Sequence, residues 1–145
     1  SKDALRRALA LEQTRRGFCF QWLRGFYICG DDEKSQSIFG KLLRAARSGE
    51  TTFPFTTGKN KYDFTTVDQL AGMIAAVALQ DEVVGTINCC SGEPMTLAER
   101  VEQFIADNGL SINLEYGAFP DRPYDSPGVW GDPAKIRRVL SAVEK

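Results

Sequence analysis

The chain contains no histidine, which removes the commonest general base from any chemistry it performs. Proton transfer would fall to tyrosine, lysine, aspartate or glutamate. Four cysteines are present, Cys19, Cys29, Cys89 and Cys90, but no two stand in a CxxC pair. Without histidine or that spacing a tetrahedral zinc site is not expected. The four read instead as reduced thiols of a cytosolic core. Gly25, Gly30, Gly40, Gly49 and Gly58 are scattered, and none opens a helix behind a strand. The chain therefore carries no GxGxxG or GxxGxxG loop to cradle phosphates. Trp22 and Trp130 could stack on a base, although a tryptophan of this kind is more often core.

These residues must be positioned by a scaffold whose class the composition already narrows. At 145 residues the chain fits one domain with a sizeable core. Its 18 basic and 19 acidic side chains leave a formal charge of -1, so the clustered basic excess of a nucleic-acid binder is missing. No apolar run reaches membrane-spanning length, and a cytoplasmic location is expected. The sequence opens Ser1-Lys2-Asp3 directly into a charged helical pattern, without signal peptide or initiator methionine. It is expected to be a processed or truncated piece.

Ala4, Leu5, Ala8 and Leu11 predict an amphipathic helix over 2–16, ended by Gly17. The apolar, aromatic run 18–28 predicts one buried strand, broken by Gly30-Asp31-Asp32. A helix over about 34–48 follows, with Ile38, Leu42, Ala45 and Ala46 inward and Gly49 closing it. Thr51 to Phe55 and 62–65 read as short extended pieces around a turn at 58–61. Thr66 and Gln69 form a capping box, opening a helix whose inner face is Val67, Leu70, Ala71, Ile74 and Val77. A strand over 86–90 comes next. A second capping box, Thr96 with Glu99, then starts a helix burying Leu97, Val101, Phe104 and Ile105. Ile112 to Tyr116 alternates like a strand. Asp132-Pro133 starts the last helix, with Ile136, Val139, Leu140 and Val143 inward. Alternating helices and strands predict an α/β fold with a mainly parallel sheet.

Five segments, in order, resemble the second half of the extended short-chain dehydrogenase/reductases, the NAD-dependent epimerase/dehydratase family that acts on sugar nucleotides. They are Ser1-Lys2, as the end of a Tyr-x-x-Ser-Lys motif; Leu23-Arg24-Gly25-Phe26-Tyr27-Ile28-Cys29-Gly30; and Tyr62-Asp63-Phe64-Thr65-Thr66-Val67-Asp68-Gln69-Leu70-Ala71. Gly85-Thr86-Ile87-Asn88 with Ser91-Gly92-Glu93-Pro94 and Thr96-Leu97 is the fourth. Arg122-Pro123 with Gly131-Asp132-Pro133-Ala134-Lys135-Ile136 is the fifth.

The resemblance implies the C-terminal part of an extended Rossmann-type fold, parallel-sheet remnants plus a smaller substrate-binding α/β subdomain. Residues 1–30 would be the tail of the NAD-binding domain. Residues 31–145 would form the substrate-binding region, with 62–90 packing back on the Rossmann sheet. It further implies NAD or NADP as cofactor, a nucleotide-diphosphate sugar as ligand, and epimerase, dehydratase or 4-keto reductase chemistry in a full-length parent. The isolated chain would be inactive.

Lys2 takes the place of the family's catalytic and ribose-binding lysine, which shares a helix face with a tyrosine four residues earlier. The cation favours the phenolate. Gly25 and Phe26 fall where the family's strand passes the nicotinamide, their backbone the implied contact; a bulge or packing gap at Gly25 is the alternative. Tyr27 stands where the family places a substrate-binding Asn, and is core on the alternative reading. Tyr62 stands where it places a phosphate-pairing Arg, a charge Lys61 could supply.

Arg122 matches the family's diphosphate-binding arginine, whose planar fork grips phosphate oxygens in pairs. Its loop, 119–127, carries three prolines and suits the display of one side chain. A surface ion pair with Asp121 or Asp125 is the alternative. Asp63 and Asp68 read as structural, Asp68 in the first turn of a helix. Thr66 replaces a histidine. The departures at Tyr27, Tyr62 and Thr66 give some weight to an alternative from another class, a non-catalytic binding or regulatory module that retains the fold. The resemblance also implies a homodimer or higher self-association through residues 2–28, with no nucleic acid and no membrane as partner.

Overall fold

A computed structural model of the chain describes residues 1–30 and 33–143. Its first helix, α1 (Lys2–Arg16), ends at Gly17, whose φ of 71° suits glycine and whose N–H donates back to the Gln13 carbonyl. The chain continues through β1 (Gln21–Gly25), β2 (Tyr27–Cys29), α2 (Ile38–Arg47), β3 (Thr52–Pro54), β4 (Lys61–Tyr62) and β5 (Phe64–Thr66). It ends through α3 (Val67–Ala78), β6 (Gly85–Cys89), β7 (Met95–Thr96), α4 (Leu97–Asp107), β8 (Asn113–Glu115), β9 (Gly128–Val129) and α5 (Ala134–Val143). The expected break at Asp31-Asp32 lies outside the described residues.

Pairing is mostly parallel, as the alternation of elements predicts. Among the described residues β1 pairs with β6, β2 with β5 and β3 with β8, all parallel. In the fourth small sheet β4 lies between β7, antiparallel, and β9, parallel. Two apolar cores result. Ala76, Val77, Val83, Ile87, Cys89, Ile136 and Val139 join α3, β6 and α5, with Leu23 of β1 against them. Phe39, Leu42, Leu43, Phe55, Val101, Phe104 and Ile112 join α2, α4 and the β3–β8 pair.

The predicted strand over 18–28 is instead two strands with different partners, and it is not buried: Tyr27 and Ile28 are 45% and 48% exposed. The break falls at Phe26, whose ring lies against Gly131 and Cys90; a Cβ on Gly131 would come within 2.6 Å of it. The extended piece over 62–65 is likewise split, at Asp63. The helix expected from 34 begins only at Ile38. Ser37 caps it, its hydroxyl accepting from the Gly40 N–H at 3.2 Å. Arg44 meanwhile ties up the carbonyls of Glu33 and Ser35, which holds that stretch out of helical geometry.

Both predicted capping boxes form, at Thr66 with Gln69 and at Thr96 with Glu99. The Asp132 carboxylate accepts from the Ala134 N–H at the head of α5. The Gln21 side-chain amide donates to the carbonyls of Val77 at 3.1 Å and Gln80 at 2.8 Å, closing the open end of α3.

Helix faces are where expectation and structure part. None of Ala4, Leu5, Ala8 and Leu11 is covered, and no residue of α1 is buried. On α3 the inward residues are Leu70, Met73, Ala76 and Val77, while Val67, Ala71 and Ile74 of the predicted inner face are exposed. Contact with β6 and α5 sets that rotation. Val143 is exposed on α5, and Trp130 is 55% exposed rather than core.

Cys29, Cys89 and Cys90 are buried free thiols and Cys19 is exposed. Burial raises Cys89 above the usual thiol range. Burial, followed by the nearby Asp63 charge, pushes Cys90 up to about 11. Both sulfurs are therefore protonated and inert at neutral pH.

Candidate functional site

Asp63 organises the region in which the predicted site residues meet. Its side chain is fully buried and accepts from the Ser91 N–H, the Ser91 hydroxyl and the Gly92 N–H, each at 2.8 Å. Its carbonyl accepts from the Tyr27 N–H and its own N–H donates to the Val129 carbonyl, both at 3.1 Å. One residue thus fastens β2, β9 and the Ser91-Gly92 turn together. The structural role expected for Asp63 is what the structure shows.

Tyr27 and Val129, held this way, border a cavity of about 620 Å³ whose lining also includes Lys2, Trp22, Arg24, Gly25 and Phe26. Lys2 and the consecutive Gly25, Phe26 and Tyr27 were singled out from two stretches of sequence, and the fold brings them to one cavity. Lys2 arrives on the first turn of α1, the others where β1 gives way to β2. A Cβ on Gly25 would meet only Ile28 and Leu70, at an ordinary 3.8 Å. Nothing within the protein therefore demands a glycine there.

Tyr27 is not core. Its ring stacks on Tyr62 with centroids 4.1 Å apart and an interplanar angle of 28°. Phe64 meets both rings edge-on. Tyr62 is buried, and that burial, with the Tyr27 phenol beside it, raises its hydroxyl above the usual phenol range. Tyr62 therefore supports the cavity from behind rather than lining it. Lys61 is exposed on β4, its backbone paired with Thr96 and Gly128.

Arg122 lies elsewhere. It borders a second cavity of about 500 Å³, walled by Ile38, Phe53, Phe55, Leu97 and Phe119, with Lys41 as a further cation. The expected alternative, an ion pair with Asp121 or Asp125, does not form among the described residues. Asp121 instead accepts from the Thr57 hydroxyl at 2.7 Å and the Thr57 N–H at 3.3 Å. The Arg122 loop runs on into β9, anchored by Asn60 Nδ2 on the Ser126 carbonyl at 2.8 Å and by the Lys61 N–H on the Pro127 carbonyl. Val129 of β9 then reaches the first cavity, so one loop connects the two.

Sequence reasoning missed Lys41 and gave Arg24 no role. Lys41 sits on the exposed side of an amphipathic helix, where a lysine looks like any solvated cation. Arg24 was visible within the Leu23–Gly30 motif.

An NAD molecule fits the first cavity only in part. Lys2 and the open backbone at Gly25 suit a ribose and its nicotinamide. The chain offers no glycine-rich helix entrance for the pyrophosphate.

The arrangement is that of a known class. The fold is the extended Rossmann type. By structure the chain is similar to a UDP-N-acetylglucosamine 4-epimerase of Methanobrevibacter ruminantium in complex with UDP-N-acetylmuramic acid, with TM-score 0.79, 24% identity, and 95% of this chain against 45% of that one. It is similar also to a UDP-glucose 4-epimerase of Thermus thermophilus in complex with NAD, with TM-score 0.73, 18% identity, and 93% against 45%.

By sequence it is 43% identical over 111 residues to a dTDP-6-deoxy-L-talose 4-dehydrogenase (NAD(+)) of Aggregatibacter actinomycetemcomitans. That stretch is 77% of this chain and 41% of the enzyme, so the chain spans well under half the length of the curated relative it matches. No family model matches the chain. The resemblance to part of an NAD-dependent epimerase/dehydratase, read from the five motifs, is borne out by these likenesses. No helix among the described residues is long and apolar enough to cross a membrane.

Proposed function

We propose that this chain is the substrate-binding part of an NAD(P)-dependent enzyme acting on a hexose carried by a nucleoside diphosphate, with dTDP the nucleotide. The observation that carries the reading is the pair of cavities joined by the Arg122 loop. An apolar cavity edged by two cations suits a base and its diphosphate. The neighbouring cavity, with Lys2, Gly25 and Tyr27, suits the sugar and the nicotinamide ribose. The relative that is 43% identical over 111 residues is named a dTDP-6-deoxy-L-talose 4-dehydrogenase (NAD(+)), which supports dTDP as the nucleotide.

Bound NAD would supply the hydride-accepting ring. This chain's residues would orient the sugar, hold the diphosphate at Arg122, and present the Lys2 ammonium to the ribose. Residues 1–30 then belong with a cofactor-binding Rossmann domain and 31–145 with the substrate. The 62–90 stretch returns β6 to pair with β1. The chain alone binds sugar nucleotide without turnover, and hydride transfer by it alone would contradict this. A cytoplasmic setting suits its reduced thiols.

Arg122→Ala tests the assignment in an enzyme that joins this chain to a cofactor-binding half. Binding of a dTDP-hexose should weaken by about 1.5–3 kcal/mol, the range for hydrogen bonds to a charged group, with NAD affinity nearly unchanged. Calorimetry giving equal losses for both ligands, or none for the sugar nucleotide, rejects it.

The reading also expects self-association. Leu5 and Leu11 are 55% and 69% exposed on α1, and among the described residues β1 is paired along one edge only. Bare apolar stripes and open strand edges draw other chains. Sedimentation at on the order of tens of micromolar should show a dimer or larger species, and a compact monomer there refutes the expectation.

A further inference from the structure

Of the three cations on α2, two are engaged within the protein. Arg44 donates to the carbonyls of Glu33 and Ser35, and Arg47 pairs with the Glu33 carboxylate. Lys41 carries neither hydrogen bond nor ion pair among the described residues. It shares a helix face with Ile38, three residues earlier, and both side chains border the cavity of about 500 Å³ that Arg122 also edges. The side of α2 on which Lys41 stands is therefore the cavity side. The Arg122 guanidinium is likewise without a partner among the described residues.

No carboxylate lines that cavity among the described residues. Asp121, beside Arg122 in the chain, is turned to Thr57, accepting from its hydroxyl at 2.7 Å and its N–H at 3.3 Å. Phe53, Phe55, Leu97 and Phe119 make much of the remaining wall apolar. Walls of this kind focus the field of whatever charge stands at them. Two cations at one such cavity repel each other, and an anion between them removes that repulsion and is attracted by both. The two also differ in what they offer. A guanidinium meets phosphate oxygens as a planar fork, an ammonium as a compact charge with rotatable donors. A diphosphate linked at both ends carries charge on both phosphoryl groups, more than a single fork neutralises.

Building on the nucleotide-sugar reading, we propose that Lys41 is a second diphosphate-binding residue, sharing that group with Arg122. Its ammonium neutralises the charge that the Arg122 fork leaves, and its contribution is electrostatic rather than one of shape.

The test is calorimetric binding of dTDP to the purified chain, with Lys41→Met, Lys41→Arg and Arg122→Ala alongside. Lys41→Met keeps the long stem and the helix propensity and removes the charge. It should weaken binding by roughly tenfold, the low end for a hydrogen bond to a charged group. Lys41→Arg should stay close to the native affinity. Raising sodium chloride from about 0.1 M to about 1 M shortens the screening length from about 10 Å to about 3 Å. The loss caused by Lys41→Met should shrink over that range, which a packing role would not do. Thermal unfolding confirms that each variant is folded. Native dTDP affinity in Lys41→Met, or a loss that neither Lys41→Arg restores nor salt reduces, overturns the proposal. A loss in Arg122→Ala alongside would then leave the nucleotide-sugar reading intact. A native chain that binds no dTDP takes down the two together.

Discussion

Replacing Asp63 with alanine should cost about 3–5 kcal/mol of folding stability. The carboxylate is fully buried and satisfies three donors of Ser91 and Gly92 at once. Hydrogen bonds to a charged acceptor are each worth about 1.5–3 kcal/mol, and donors left unsatisfied in the interior add a penalty of their own. Water entering the vacated space recovers part of this, which is why the losses do not simply add. Asp63→Asn keeps the shape but turns an N–H group toward another N–H, and should cost roughly half as much. Urea denaturation of the three proteins measures the difference. A loss below about 1 kcal/mol for the alanine variant would mean that Ser91 and Gly92 find other partners. The bonds from Asp63 to Tyr27 and Val129 run through its backbone and persist in the variant.

The second large effect is expected at Gly92. Its φ is +77°, and a Cβ there would lie 2.5 Å from Cγ and 2.8 Å from Cδ of Pro133. A left-handed backbone costs an alanine about 1–2 kcal/mol. Overpacking against a proline ring, which has no rotamer to escape into, costs about 1–3 kcal/mol more. Gly92→Ala should therefore destabilise by about 2–5 kcal/mol. Gly17 provides the internal reference: its φ is +71°, and a Cβ added there meets nothing within 4 Å. Gly17→Ala should show the backbone cost alone, so subtracting the two results isolates the clash. Equal losses at both positions would show that Pro133 gives way.

Signals that depend on near neighbours in sequence were legible. Thr66 with Gln69, Thr96 with Glu99, Gly17 and Asp132 each act within a turn of their own position, and each helix end appears where those residues put it. What the sequence hid is decided by distant partners. An apolar stripe on α3 marks a face, but which of two overlapping faces turns inward depends on β6 and α5. The break between β1 and β2 depends on Phe26 finding a seat on Gly131, and the late start of α2 on Arg44 reaching back to Glu33 and Ser35.

The candidate site divides in the same way. Motif order selected Lys2, Gly25, Phe26, Tyr27 and Arg122. It did not reveal that Arg122 stands in a cavity of its own with Lys41, or that Tyr27 and Tyr62, both departures from the family pattern, stack on each other. Two substitutions that looked independent form one unit.

The β1–β6 ladder has a consequence for how the protein is made. Gln21 pairs in register with Gly85, and its side chain closes a helix end 56 and 59 residues further along. Neither bond can form until that later stretch has left the ribosome. At synthesis rates of roughly 5–20 residues per second, β1 waits on the order of several seconds for its partner. For that interval the β1 groups that face β6 wait for their partner. Slowing translation across residues 30–85 should lengthen that wait.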